Sequence, residues 1–99
     1  MVKLVWTELS RNDLEDIFDY IAEDSKRYAS ITVNKIYQRA QAVIDNPLIG
    51  RIVPEFNVNT IRELISGNYR IIYRIVSNKQ VDILRVYHSA RLLKKNKLI

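Results

Sequence analysis

The residues best suited to chemistry lie at positions 60–91, a stretch that contains the only histidine and most of the arginines. His88 can move a proton near neutral pH. Arg70 and Arg74 share one face of a predicted strand, and the planar guanidinium of arginine binds phosphate or carboxylate through paired hydrogen bonds. This combination is typical of chemistry at a phosphate. The plainer interpretation is a structural histidine and ordinary arginines on an outward sheet face.

The register of the last two predicted strands decides whether these groups meet. In one register Arg70 lies directly across from His88, which places an anion-binding group beside a proton-transfer group. In the other, Ser77 pairs with Gln80 across a two-residue turn. His88 then falls on the opposite face, and Tyr87 and Arg85 lie beside Arg70, which would give a phosphate-binding arginine cluster with a tyrosine. The sequence leaves both registers open.

Charge is distributed unevenly along the 99 residues. Positions 1–50 carry 6 Lys or Arg and 8 Asp or Glu, whereas positions 51–99 carry 10 and 3, so the two halves have net charges of −2 and +7. A basic half of this kind indicates an acidic partner, either nucleic acid or an acidic protein segment, although solubility alone could also account for it. Neither a signal-peptide pattern nor a long apolar run is present, which predicts a cytoplasmic protein without membrane contact.

Hydrophobic periodicity predicts the elements that precede the chemical stretch. Residues 2–6 alternate with the two-residue period of a strand. From residue 8 to about 24, and from about 26 to 45, apolar residues recur at helical spacing, which predicts an antiparallel pair of amphipathic helices. Pro47 cannot continue the second helix, so residues 46–59 are predicted to form a loop.

Three predicted strands follow, at residues 61–65, 69–75 and 81–88, and their short connections favour an antiparallel meander. The helical hairpin is expected to cover one face of this sheet, which leaves the face with Arg70 and Arg74 open. A short basic tail follows at residues 89–97. The predicted fold is therefore α+β, with a single domain spanning residues 1–99.

Five motifs lie in order along almost the whole chain: W-T-x-L-S-x-x-D-L-x-x-I-x-x-Y-I at residues 6–21, N-P-x-x-G-R at 46–51, R-E-L at 62–64, Y-R-I-I-Y-R at 69–74 and I-L-x-V-x-H-x-A-R at 83–91. Together they resemble the RelE/ParE superfamily of toxins from type II toxin–antitoxin systems, which are also described as plasmid stabilisation proteins. The family fold, a strand and a helical hairpin followed by an antiparallel meander, agrees with the elements predicted above.

The resemblance implies one of two targets. RelE-like members enter the ribosomal A site and cut mRNA with an arginine that matches Arg70, and some have a histidine that His88 resembles. Where RelE places lysines on the strand before Y-R, this chain has Ile61, Arg62 and Glu63, of which Arg62 could replace one lysine. Glu63 could act as a base, or it could form a salt bridge with Arg70 or Arg62. ParE-like members lack the nuclease residues and poison DNA gyrase.

On this resemblance, the expected function is growth arrest by a ribosome-dependent, metal-independent mRNA endoribonuclease. Its expected catalytic residues are Arg70, His88 and Glu63. No cofactor or metal is expected, because one histidine and no cysteine supply no usual ligand set. The residues expected to bind the nucleic acid are Arg51, Arg62, Arg74, Arg85 and Arg91.

Two alternatives accompany this expectation. One is a toxin without nuclease activity that poisons DNA gyrase through its basic half and residues 89–99. The other is an inactive relative that only binds its antitoxin. The resemblance implies a cognate antitoxin, encoded in the same operon, for all three. An exposed sheet edge would also permit strand addition, so a homodimer or a toxin–antitoxin hetero-oligomer is expected.

Overall fold

The computed structural model describes residues 2–89, so most of the predicted basic tail, including Arg91, lies outside the described residues. Within that range the chain forms a five-stranded sheet with helices on one face. The elements in chain order are β1 (Lys3–Trp6), α1 (Glu8–Ala22), α2 (Lys26–Ala40), α3 (Ala42–Asp45), β2 (Arg51–Ile52), β3 (Ile61–Ser66), β4 (Tyr69–Ser77) and β5 (Gln80–His88).

The sheet has the strand order β1-β5-β4-β3-β2. The predicted meander is confirmed, because β3 pairs antiparallel with β4 and β4 pairs antiparallel with β5. The first strand adds a feature that the sequence did not indicate, since β1 pairs in parallel with β5 and makes the sheet mixed. The α+β class predicted from the sequence is therefore confirmed.

Side-chain caps define where the two long helices begin. The hydroxyl of Thr7 accepts a hydrogen bond from the backbone N–H of Ser10, and the hydroxyl of Ser25 accepts one from Tyr28. Both satisfy a donor that the first helical turn leaves unpaired. The Thr7 hydroxyl also donates to the carbonyl of Ile83 at 2.7 Å, which fastens the start of α1 to β5. The second predicted helix is divided at Gln41 into α2 and the short α3.

The main core lies between the helices and the face of the sheet they cover. Buried apolar residues of the helical segment meet alternate residues of β4, as a two-residue strand period requires. On β5 they meet Val81, Ile83 and Val86, where a β-bulge adds one residue to the alternation. Each such side chain contributes about 1.5–3 kcal/mol on full burial. The fully or nearly fully buried members are Ile36, Ala40, Val43, Leu64, Ile71, Tyr73, Val81, Ile83 and Val86.

The opposite face of the sheet, which was expected to be open, is partly covered. Val53 and Phe56, from the connection between β2 and β3, pack there against Ile72, Leu84 and Tyr87 in a second apolar cluster. Arg70 lies on this face and is only 6% exposed. The expectation that Arg70 stands on an open surface was therefore wrong, because a loop with apolar residues folds back over the strands.

The register of the last hairpin follows the second alternative. Ser77 pairs with Gln80, Arg70 pairs with Tyr87, and His88 pairs with Tyr69. The pairing shifts by one residue within the hairpin and shifts back before its end. Such β-bulges leave one strand residue without a direct partner. Arg70 and His88 are consequently not cross-strand neighbours.

A buried tyrosine ties the loop before β2 to the sheet. The hydroxyl of Tyr73 donates to the carbonyl of Pro47 at 2.6 Å and accepts from the N–H of Gly50 at 2.9 Å. A Cβ at position 50 would lie 2.5 Å from the carbonyl oxygen of Glu63, so only glycine fits this close approach. These contacts hold β2, and with it Arg51, against β3.

None of the helices within residues 2–89 combines the length and apolar character needed to cross a membrane.

Replacement of Tyr73 by Phe is expected to lower the free energy of unfolding by about 1–3 kcal/mol, because the buried N–H of Gly50 and the partly buried carbonyl of Pro47 lose their partner. The measurement is urea unfolding followed by circular dichroism. Tyr20→Phe is the matched control, since Tyr20 is 77% exposed and its replacement should change stability by less than about 0.5 kcal/mol. Equal stability of the two variants would contradict the role given to the Tyr73 hydroxyl.

The effect of Tyr73→Phe is also expected to depend on pH. Burial raises the pKa of Tyr73 above its ordinary value of 10.0, so folding favours the protonated phenol. This contribution is fully present below pH 10.0 and is lost as the pH rises toward the folded-state pKa. The stability difference between the wild type and Tyr73→Phe should therefore narrow above pH 10.0, as unfolding curves at several pH values will test. A constant difference would contradict it.

Candidate functional site

The most unusual feature of the sheet is a buried ion pair between β3 and β4. Glu63 is 2% exposed and Arg70 is 6% exposed. Because Glu63 pairs with Ile72 and Arg70 pairs with Ile65, the two charged side chains lie diagonally on the same face. The Nε of Arg70 donates a short hydrogen bond to Oε1 of Glu63. Two of the three expected catalytic residues are thus bound to one another.

Two further side chains extend the ion pair into a chain of alternating charges. Nη1 and Nη2 of Arg70 donate to the two carboxylate oxygens of Glu55 at 2.9 and 3.0 Å, in bidentate geometry. On the other side, Nε of Arg51 donates to Oε2 of Glu63 at 2.6 Å. The order Arg51–Glu63–Arg70–Glu55, called here the four-residue network, balances two cations with two anions.

The network keeps Arg70 protonated and engages its guanidinium donors in hydrogen bonds to carboxylates. The hydrogen bonds that Arg70 donates to Glu55 are the largest cause that raises the pKa of Arg70 above its usual range, and Glu63 raises it further against the opposing effect of burial. An arginine in this state is a permanent cation, and its planar fork already binds one carboxylate on each side. A phosphate could reach the fork only by displacing Glu55.

His88, the third expected catalytic residue, lies apart from the network. It ends β5 and packs edge-to-face against Tyr69, with ring centroids 5.7 Å apart. Tyr69 packs against the helix-side core, whereas Arg70 lies on the opposite face. The His88 ring borders a cavity of about 360 Å³ between α1 and the sheet, lined by Asp13, Asp16, Ile17, Tyr20, Tyr69, Val86, Tyr87 and His88.

The arginines expected to bind nucleic acid have intramolecular partners wherever the structure describes them. Arg62 donates to the carbonyls of Asn59 and Gly50 at 3.0 and 2.9 Å. Arg51 belongs to the four-residue network, although its side chain is 66% exposed. Because each cation binds its own chain, its positive field toward a nucleic acid is reduced.

The two arginines nearer the last hairpin are also paired. Arg74 lies 3.7 Å from the carboxylate of Asp82. Arg85 donates to both carboxylate oxygens of Asp13 in α1 at 2.8 and 2.9 Å, and its guanidinium lies 4.7 Å from the ring centre of Tyr87. Arg91 falls outside the described residues.

Sequence reasoning missed Glu55 and Asp13 as partners of these arginines. Glu55 lies in a loop, where no periodicity shows which way a side chain points. Asp13 lies on α1, and its carboxylate accepts hydrogen bonds from Arg85 and from the backbone N–H of Val86. The available signal was the apolar surroundings of Arg70, because a cation placed among them must have an anionic partner.

Within residues 2–89, no three acidic or histidine side chains converge in a way that could hold a metal ion. On one face of the sheet, the site therefore consists of arginine and glutamate side chains in ion pairs. A histidine beside a cavity lies on the other face.

Comparison with known proteins gives the family. Residues 4–93 match the model of the family described as the ParE toxin of type II toxin–antitoxin system, parDE. The chain is also similar to Toxin RelE2 of Caulobacter vibrioides, with 32% identity over 92 residues that cover 93% of this chain and all of that protein.

Solved structures share the fold. The chromosomal ParDE TA system from P. aeruginosa has a chain that aligns with a TM-score of 0.74 and 24% identity, covering 89% of this chain and 96% of that one. A chain of the toxin–antitoxin complex RelBE2 from Mycobacterium tuberculosis aligns with a TM-score of 0.59 and 24% identity, covering 88% and 96%. The helical hairpin on a five-stranded sheet is thus the fold of these proteins, and the chain belongs to the RelE/ParE superfamily of toxins from type II toxin–antitoxin systems.

Proposed function

We propose that this toxin arrests growth by binding a protein target, DNA gyrase, and that it does not cut mRNA. The observation that carries the proposal is the burial of Arg70 between Glu63 and Glu55. Membership of a family described as ParE toxins agrees with it. The mRNA endoribonuclease favoured by the sequence is therefore the alternative that experiments must exclude.

A nuclease would need Arg70 to stabilise charge at a phosphate, which requires donors aimed at the reacting oxygen. In this structure all three donor nitrogens of Arg70 that face the network already bind carboxylates. Breaking a buried ion pair by withdrawing one partner costs about 3–5 kcal/mol. The free energy of substrate binding would have to offset that cost before Arg70 could stabilise the transition state.

The positions of the acid–base candidates also weigh against cleavage. A general base must lie within hydrogen-bond reach of the proton it takes, directly or through one water. His88 lies on the helix side of the sheet, and Arg70 lies on the other. Glu63 is held by both Arg70 and Arg51, so its two oxygens already accept hydrogen bonds.

A toxin that acts by binding needs an exposed contact surface in place of a catalytic site. Large apolar side chains are exposed just before β2, in the loop between β2 and β3 and near the end of β3, and Arg51 on β2 is 66% exposed; they are the candidates for such a surface. The exposed residues of this contact surface are Leu48, Ile49, Val58 and Ile65. Together with the basic segment at residues 89–99, this surface is our candidate for target binding.

We further propose a cognate antitoxin as partner, as in the toxin–antitoxin systems whose structures share this fold. The formal net charge of +5 favours an acidic segment in that antitoxin. Within residues 2–89, β2 pairs with Glu63 and Arg62 of β3, and the carbonyl of Ile61 accepts from Val53, so only residues 64–66 of the outer β3 edge have no neighbouring strand among the described residues. This edge is the expected place for strand addition by the antitoxin or by a second copy.

The structural role given to Arg70 can be tested by stability. Arg70→Met leaves Glu63 buried with Arg51 alone and should reduce the free energy of unfolding by about 3–5 kcal/mol. The double variant Glu63→Leu/Arg70→Met replaces the buried pair by apolar side chains and should recover most of that loss, since Glu55 and Arg51 still reach solvent. Urea unfolding measures both. A double variant no more stable than the single would contradict this assignment.

The proposed target predicts the outcome of two reactions with the purified full-length toxin. Incubation with DNA gyrase and supercoiled DNA should accumulate cleaved DNA–gyrase complexes. Messenger RNA on translating ribosomes should remain intact when its 5′ ends are mapped. New 5′ ends within codons and unaffected gyrase would establish the nuclease alternative, whereas neither effect would indicate a relative that only binds its antitoxin.

Two double charge-reversal variants test whether the basic C-terminal segment contributes to gyrase poisoning. Lys94→Glu/Lys95→Glu changes the basic C-terminal segment and is expected to weaken gyrase poisoning about tenfold, a loss of about 1.4 kcal/mol. Lys26→Glu/Arg27→Glu makes the same change in net charge at exposed positions at the start of α2 and should have little effect. Equal weakening by both variants would show that net charge alone matters.

A further inference from the structure

The cavity between α1 and the sheet is lined by tyrosine rings from two different elements. Its volume of about 360 Å³ lies in the range of roughly 300–1,000 Å³ that is usual for ligand pockets. Tyr20 lines it from α1, and Tyr69 lines it from the first residue of β4. Tyr20 is 77% exposed, whereas Tyr69 is partly buried. The cavity therefore has one aromatic ring at the surface and another that is shielded from solvent.

One carboxylate on the cavity wall carries a charge without a neutralising partner among the described residues. Asp16 lies four residues before Tyr20 on α1, so the two side chains share one face of the helix. It is exposed, and within residues 2–89 it forms no hydrogen bond or ion pair. Asp13, the other carboxylate of the wall, already binds Arg85 through both oxygens. Asp16 therefore gives the cavity its negative charge.

The helix that forms this wall is acidic, although the whole chain is basic. α1 contains five Asp or Glu and one Arg, a net charge of −4, whereas α2 contains four Lys or Arg and no acidic residue. A second cavity, of about 140 Å³, lies between α2 and the β3–β4 turn, and the described residues that line it include Lys35 and no carboxylate. Of the two cavities, the local charge thus favours a cation in the first.

The chain itself shows how such a cation is bound. Next to the cavity, the guanidinium of Arg85 lies 4.7 Å from the ring centre of Tyr87 and donates to the two carboxylate oxygens of Asp13. The attraction between a cation and an aromatic face here acts together with a bidentate ion pair. Asp16 and Tyr20, one helical turn apart on the same wall, present the same two kinds of group toward the cavity.

We propose that this cavity is a binding site for a guanidinium group, which an arginine side chain of a partner protein supplies. The guanidinium lies against the tyrosine rings and donates to the carboxylate of Asp16. The proposal does not depend on gyrase being the target, because it concerns only what the cavity binds.

The shape and hydration of the cation favour arginine over lysine. A guanidinium is planar, stacks on an aromatic ring and pairs with both oxygens of a carboxylate, whereas an ammonium is a compact point charge that is more strongly hydrated. A protein segment is favoured as the source, because Tyr20 at the surface adds an exposed aromatic contact beside the pocket, as is common in protein interfaces. A free arginine lacks the backbone and neighbours that such a contact would bury.

The experiment titrates full-length toxin with three acetylated and amidated tripeptides, Ala-Arg-Ala, Ala-Lys-Ala and Ala-Gln-Ala, at constant ionic strength. The aromatic resonances of Tyr69 are followed by NMR. The arginine peptide is expected to bind most tightly. Asp16→Asn should weaken its binding about fivefold, since a partly exposed ion pair is lost. Tyr20→Leu should weaken it about two- to fivefold, through loss of the cation–aromatic contact.

Asp19→Asn is the matched control, because it removes one exposed charge from α1 at a position that does not line the cavity. It should bind the arginine peptide like the wild type. Asp16 and Tyr20 are exposed, so their variants are expected to keep the fold, and circular dichroism verifies this before each titration.

Four results would overturn the proposal. The first is the absence of binding by the arginine peptide, and the second is equal or tighter binding of the lysine or glutamine peptide. The third is an equal loss in Asp16→Asn and Asp19→Asn, which would show that net charge alone matters. The fourth is binding that appears only when Arg91→Gln is introduced, which would show that the basic segment of the same chain, and not a partner, takes the site.

Discussion

The ion pair between Glu63 and Arg70 constrains much of the sheet around it. A charge buried without a partner costs several kcal/mol, so two charged residues on facing strands must be brought together and kept dry. The register of β3 against β4 places them diagonally on one face, and the returning loop excludes water from them. Any displacement of either strand by one residue would put one charge on the helix side, among apolar residues.

Successive side chains of β4 point to opposite faces of the sheet. On β4, Tyr73 enters the core beneath the helices, while Arg70 and Ile72 face the returning loop. The hydroxyl of Tyr73 nevertheless reaches the loop before β2 and holds Gly50, next to Arg51 of the network. The core on the helix side and the charged network on the other side are therefore connected through β4 and the Tyr73 hydroxyl.

Much of this arrangement follows from local pattern, and the remainder depends on contacts distant in sequence. Alternation along residues 69–75 correctly separated Arg70 from Tyr73, and the turn alternative with Ser77 opposite Gln80 proved correct. The partner of Arg70 was only half predicted: Glu63 was considered, since it lies on the neighbouring strand. Glu55 was not, because its position depends on the path of a loop, which has no repeating pattern.

The four-residue network also shows that membership of the family does not by itself identify the chemistry of the site. The family match and the fold assign the chain to the RelE/ParE superfamily, but a fold alone does not determine a function, so function must be argued from the side chains at the site. Here an arginine at the position that a nuclease would use is neutralised from both sides by carboxylates. This pairing of Arg70 with two carboxylates is the observation that favours the proposed binding role over the nuclease role.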